Sequence, residues 1–345
     1  MTTQDELVPK STGLKKGDTG ADVERLQNYL SQFGYLESPV LDEFGVDHAM
    51  AQEEPEHGTF DDRTEEALRT FQEHYDLPVT GKLNKATRDL MTKPRCGFPD
   101  TAEPVSAEFV AQGNKWSTTT LRYGFVEFTP DLSQAQVRAA VSTAFGYWAA
   151  VTPLTFGEIP NASNPEIRIR FAAGNHGDGS PFDGPGGVLA HAYYPPPNGG
   201  DIAGDTHFDE AETWTVSLPA TGIDLYTVAA HEFGHALGLA HSTVSGALMY
   251  PYYGGPHRFL HQDDIDGIQS IYGAQQWMTK TLARVYTTPH SKNAWAYPTG
   301  VGWRKVAPTS TDGVTNTFAA LVQARASDKP ATMLVTGTEI TSVYF

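Results

Sequence analysis

Apolar residues recur at helical spacing three times near the start of the chain. Val23, Leu26, Leu30 and Phe33 lie three or four positions apart, and Gly34 follows where a helix must end. Ala67, Leu68, Phe71 and Tyr75 predict a second helix from about Asp62, and Ala86, Leu90 and Met91 a third, short one after a turn at LPVTG. The period then changes. Leu121, Tyr123, Phe125 and Phe128 alternate, predicting a strand, and EIRIRF (166–171) predicts another. Between them residues 133–150 place Val137, Val141, Phe145 and Trp148 on one face of a helix. LYTVAAHEFGHALGL, with Asp224 as its candidate N-cap, and QDDIDGIQSIYG predict two more helices. Beyond residue 275, the runs LARVYTT, NAWAYPT, GWRKVAP, FAALVQARA and ATMLVTGTEITSVYF read as short strands between Gly, Pro and Asn turns. The expected organisation is multidomain: a flexible leader (1–13), a small all-α three-helix domain (14–92), a connector (93–112), an α+β domain (113–275) and a small β-rich unit (276–345).

The densest chemistry is HEFGHALGLAH, residues 231–241. His231 and His235 are one helical turn apart on the same face, where neutral imidazoles can hold two corners of a tetrahedral zinc site. Gly238 lets the chain leave the helix and brings His241 round as a third ligand, with the fourth position open. Glu232 is not needed as a ligand and is placed to take a proton from water acidified by the metal. Further upstream, His176, Asp178, His191 and His207 supply three imidazoles and one carboxylate, a closed set suited to a structural zinc. Interleaved with them are Asp183, Asp209 and Glu212, hard oxygen donors that suit calcium with carbonyls of Gly184, Gly186 and Val188. Glu166 and Asp205 are candidates for a second calcium.

The HExxHxxGxxH pattern resembles the metzincin zinc endopeptidases, with Met249 in ALMYP as the methionine of the turn beneath the metal. Ser242 after the third histidine narrows the likeness to the matrixins. PRCGFPD, residues 94–100, resembles the matrixin cysteine switch, and GxxGxxVxxLQ with LPVTGxLxxxT resembles the peptidoglycan-binding-like fold of matrixin propeptides. The resemblance implies a zymogen in which Cys96 fills the fourth zinc position, and a catalytic domain built on a twisted mixed sheet plus helices. It implies two zinc ions, one catalytic and one structural, and at least one calcium. It also implies a substrate cleft in which Leu189 and Ala190 pair with an extended peptide, Thr227 lines the pocket floor, and Pro251 and Tyr253 form its wall. A small residue at Thr227 leaves that pocket open to Leu, Met or Phe. Where the family has Asp and two glycines, this chain has Glu166, Asp201 and Ala203, which weakens the second calcium site.

Charge bounds the partners. The net charge of −17 argues against nucleic acid. It divides as −8 over residues 1–95, −13 over 96–275 and +4 over 276–345, so the last segment can dock on acidic surfaces, its own or a substrate's. Protein or peptide substrates are expected, with a cell-wall or matrix component as a further partner of the N- or C-terminal domain, and a monomer. No run of residues is apolar enough to span a membrane. A single cysteine forbids any intramolecular disulfide. The resemblance implies an extracellular enzyme, although MTTQDELVPK lacks the apolar core of a signal peptide. Two competing readings are a hydrolase of cell-wall cross-links and a metal-stabilised binding protein without catalysis.

Overall fold

A computed structural model of the chain describes residues 7–36, 57–100, 114–197, 200–287, 294–306, 311–336 and 339–344. The acidic stretch 38–56 and the connector after Asp100 lie outside the described residues.

The three N-terminal helices form where the periodicity places them: α1 (Ala21–Gln32), α2 (Asp62–His74) and α3 (Lys85–Met91). Asp61 and Asn84 cap the second and third by accepting from the backbone N–H of Thr64 and Thr87. Their apolar faces close on one another through Val23, Leu26, Leu30, Leu68 and Phe71, all buried. The leader departs from expectation over its described part. Leu7 and Val8 are buried in this same core, the backbone N–H groups of Lys10 and Ser11 donate to Asp22, and Arg88 donates to the Pro9 carbonyl. Two apolar side chains in a polar stretch find room against the helices, which offsets the entropy of ordering it.

The chain then crosses to the second domain as β1 (Arg95–Cys96). The central sheet contains β2 (Thr120–Glu127), β3 (Thr155–Glu158), β4 (Ile167–Ala172), β5 (Val188–Ala192) and β6 (Thr206–Asp209). Its order is β1-β5-β6-β4-β2-β3, and only the β5–β6 pair is antiparallel. The edge strand β1 thus belongs to the connector. A small parallel pair, β7 (Trp214–Thr215) and β8 (Ile223–Asp224), leads into the metal-motif helix.

Two helices pack together over this sheet, α4 (Gln134–Ala149) and α5 (Leu225–Ala236). Ser133 and Gln136 close a capping box on α4, and Asp224 caps α5 by accepting from Thr227 N–H at 3.1 Å. Phe145 stacks on Phe233 with ring centres 3.7 Å apart, and Trp148 Nε1–H donates to the Ala230 carbonyl. α6 (Gln262–Tyr272) closes the domain, and buried Asp264 accepts from the N–H groups of Leu248, Met249 and His261. Asp263 takes the Ser242 hydroxyl instead. The methionine turn is therefore pinned to α6.

The C-terminal unit is a six-stranded sheet, order β10-β11-β12-β14-β13-β9, made from β9 (Gln276–Lys280), β10 (Leu282–Thr287), β11 (Ala294–Pro298), β12 (Arg304–Val306), β13 (Ala331–Thr336) and β14 (Glu339–Tyr344). One segment corrects the sequence reading. FAALVQARA is not a strand but lies in helix α7 (Thr311–Ala326), which buries Leu321 and Ala324 against the sheet. Ala, Leu, Gln and Arg all favour helix, and a nine-residue apolar run has no decisive period of its own.

Two glycines show how tightly the motif helix is seated. Gly238 adopts φ +106°, and a Cβ there would lie 2.5 Å from the Asn114 carbonyl oxygen. At Gly234 a Cβ would lie 2.3 Å from Met249 Sδ. Gly234→Ala is expected to push the methionine turn away and destabilise the domain by about 1–3 kcal/mol. Thermal melting checks this, and a wild-type melting point would show that the turn has room to give.

Candidate active site

One turn of α5 aligns His231 with His235, and the glycine exit at residue 238 brings His241 beside them. All three are buried. Donor atoms of His231, His235, His241 and Cys96 lie within 4.8 Å of one another. The tautomers follow from the outer partners. His231 Nδ1–H donates to the Leu248 carbonyl at 2.7 Å and His235 Nδ1–H to the Leu239 carbonyl at 2.7 Å. A carbonyl only accepts, so these nitrogens carry the protons and the Nε2 lone pairs turn inward. His231 and His235 Nε2 are then 3.2 Å apart, and His241 Nε2 is buried with no partner. Burial and the neighbouring His241 push His231 down to about 3, and burial lowers His235 and His241 too. Facing lone pairs on neutral imidazoles repel unless a cation lies between them, so the donor set fits a bound metal.

Cys96 closes the set from above. Its strand is hydrogen-bonded into the cleft, with Cys96 N–H donating to the Pro251 carbonyl, Gly97 N–H to Ala190 and Tyr253 N–H to Pro94. Burial, followed by the charge of Glu232, pushes the thiol well above its ordinary value. A thiolate at this place therefore requires a cation. Glu232 is fully buried, 3.5 Å from the sulfur through one oxygen and without a partner on the other. Burial pushes its carboxyl up to about 8.

The loop around the sulfur does more than its motif suggested. Arg95 and Asp100 form a buried ion pair, with the guanidinium 3.5 Å from the Phe33 ring centre and also over Tyr252. Phe98 stacks on His235 at 4.6 Å, and Asp100 Oδ1 accepts from His241 Nδ1–H at 2.9 Å. Neither contact was legible beforehand, since both join residues more than 130 positions apart. The apolar cluster of the helical domain also runs on into Phe182, Val188 and Tyr252 of the next domain.

A cleft of about 390 Å³ opens beside the cluster. Of the expected substrate-contacting residues, Leu189, Thr227, Pro251 and Tyr253 line it, and the main chain of Ala190 pairs with β1, accepting from Gly97 N–H. His257, in the segment 252–261 that forms the loop of this pocket, lines the same cleft, and its N–H donates to the Thr227 hydroxyl.

The second cluster gathers as its spacing implied. Asp178 Oδ2 lies 2.7 Å from His176 Nε2, 2.9 Å from His191 Nε2 and 2.7 Å from His207 Nδ1. One carboxylate oxygen meeting three imidazole nitrogens again fits a cation. Phe182 stacks on both His176 and His191. Next to it, Gly184 N–H points to Asp209, Gly186 N–H to Glu212 and Val188 N–H to Asp183. Asp183 Oδ2 is buried without a partner, and a Cβ on Gly187 would fall 2.0 Å from it. Burial, then repulsion within the trio, pushes Asp183 up to about 6 and Glu212 up to about 7. Carboxylates near enough to raise one another's proton affinity are the hard oxygen donors that calcium takes. The two residues of the other expected calcium site have arginine partners. Glu166 is bound by the Arg122 guanidinium and N–H, and Asp205 accepts from Arg168 N–H. The longer glutamate reaches an arginine, and its charge is satisfied there.

Comparison with known proteins agrees with this geometry. The matrixin family profile matches residues 115–273, and a putative peptidoglycan binding domain matches residues 19–91. Interstitial collagenase of Equus caballus is 46% identical over 257 residues, covering 74% of this chain and 50% of that protein. Neutrophil collagenase of Homo sapiens is 49% identical over 212 residues (60% and 43%), and matrix metalloproteinase-18 of Xenopus laevis 50% over 211 residues (60% and 43%). The chain thus spans about half the length of the curated relatives it matches. No helix among the described residues is long and apolar enough to cross a membrane.

Proposed function

We propose that this chain, whose residues 115–273 belong to the matrixin family, is a secreted zinc endopeptidase held latent by its own N-terminal region. The observation that carries the reading is the convergence of one thiol and three inward-facing imidazoles beside a buried carboxylate. His231, His235 and His241 hold the catalytic zinc, with Cys96 as fourth ligand in the latent chain. When bound, that ion supplies Lewis acidity, making water acidic and the scissile carbonyl electron-poor. His176, Asp178, His191 and His207 hold a structural zinc. Asp183, Asp209 and Glu212, with carbonyls of Gly184, Gly186 and Val188, hold calcium and stiffen the loop leading into β5.

The residues of the chain divide the work. Removal of the prosegment takes the sulfur away from Glu232, and solvent replaces it. Glu232 accepts the proton of the attacking water and returns it to the departing amine nitrogen. Its apolar surroundings keep its proton affinity high enough for both halves of that transfer. An extended peptide pairs with β5 where β1 now lies, main chain to main chain. Thr227, Pro251 and Tyr253 bound the pocket for the side chain that follows the scissile bond.

Three outcomes are expected. Glu232→Ala retains zinc, by metal analysis, and loses about 10²–10⁴-fold in turnover of casein or gelatin. A variant of undiminished rate would remove Glu232 from the base role. Cys96→Ala is active with its prosegment still attached; if it stays as silent as the intact chain, sulfur is not what blocks the metal. A cleavage-site library shows Leu, Met or Phe after the cut, and a profile led by charged residues, Gly or Ala would contradict the pocket reading. The same enzyme acting on isolated cell walls but not on proteins would favour the wall-hydrolase alternative.

A further inference from the structure

We propose that Asp100 is a positioning residue for the catalytic metal, so that the latent chain grips zinc more firmly than the processed enzyme does. The proposal rests on His231, His235 and His241 being the zinc ligands.

The outer partners of the three imidazoles are unequal. His231 and His235 donate to carbonyls of their own domain, at Leu248 and Leu239. His241 donates to a carboxylate, and that carboxylate comes from the connector that processing removes. A charged acceptor makes the stronger hydrogen bond, fixes the ring, and raises the basicity of the nitrogen opposite. The seat of Asp100 is built for a charge. Its side chain is fully buried, Tyr35 and Tyr75 hydroxyls donate to Oδ2, and Arg95 and His241 meet Oδ1. Its own N–H donates to the Phe33 carbonyl. Both tyrosines follow helices of the N-terminal domain, so docking of that domain is what delivers the carboxylate to His241. Zinc and the docked domain must then strengthen one another by the same factor.

The test uses the full chain in a Glu232→Ala background, which prevents self-processing. Zinc transfer to the chelator 4-(2-pyridylazo)resorcinol is followed while a thiol reagent reports whether Cys96 stays buried. The catalytic-site phase is the one that His235→Ala removes. Asp100→Asn is expected to speed that phase about tenfold with Cys96 still unlabelled. Cys96→Ala, which keeps Asp100 but lacks the sulfur, should still release zinc about tenfold more slowly than the chain cut after Asp100. The proposal is overturned if Asp100→Asn releases zinc at the parent rate, or only in step with labelling of Cys96. It is equally overturned if Cys96→Ala releases zinc as fast as the cut chain. A parent chain with no phase sensitive to His235→Ala would instead fail the zinc assignment itself.

Discussion

Neutral imidazoles crowded with their lone pairs toward one point repel each other, and much of the second domain is arranged to keep them there. Each ring is anchored on its far nitrogen, two by carbonyls and one by Asp100. The helix carrying two of them is held by Phe145 and Trp148 from α4 and by Met249 from below, where Gly234 leaves no room for a side chain. Met249 in turn is fixed by Asp264, a buried carboxylate that accepts three backbone donors. Order in the metal cluster is thus imposed from packing outward, and a cation relieves the strain that packing maintains.

The same logic extends across the domain boundary. Arg95 is an arginine with almost no exposure, and a buried charge of that kind persists only where paired and stacked. Asp100 pairs it, Phe33 and Tyr252 sandwich it, and those two aromatic rings come from opposite domains. The loop 94–100 therefore depends on the helical domain for its shape, which is set by residues from both sides.

How much of this could be read from the chain alone depended on range. The ligand spacing at 231–241 and the Asp224 cap are local consequences of helix geometry, and both appear as expected. The His176–His207 cluster needs two strands and a loop to assemble, yet its residue types carried the signal. What stayed hidden was set by tertiary contact. Nothing near Asp100 in sequence points to His241, and nothing in a polar leader marks Leu7 and Val8 as core. The strand reading of FAALVQARA failed because a short apolar run suits either structure until a sheet is present to pack against. The ion pair of Glu166 with Arg122, which no motif connects to it, was equally out of view.

The edge of the central sheet gives the last step. β5 lies between β6 and the two-residue strand β1, so without the connector its outer N–H and C=O groups would be open to pairing by any extended chain. In the structure Gly97 N–H occupies the Ala190 carbonyl and Cys96 N–H the Pro251 carbonyl, and Tyr253 N–H is taken by Pro94. These are the main-chain groups that an extended peptide would need. β1 runs parallel to β5, with Cys96 opposite Ala190, and its side chain at the metal is a thiol that offers no carbonyl to attack. In the proposed reading, inhibitor and substrate compete for one strand edge. The prosegment holds that edge because it is part of the same chain and because Arg95, Tyr29 and Tyr252 lock its flank. A cut in the connector converts an intramolecular partner into a dilute one, and the effective concentration that kept the edge closed is lost.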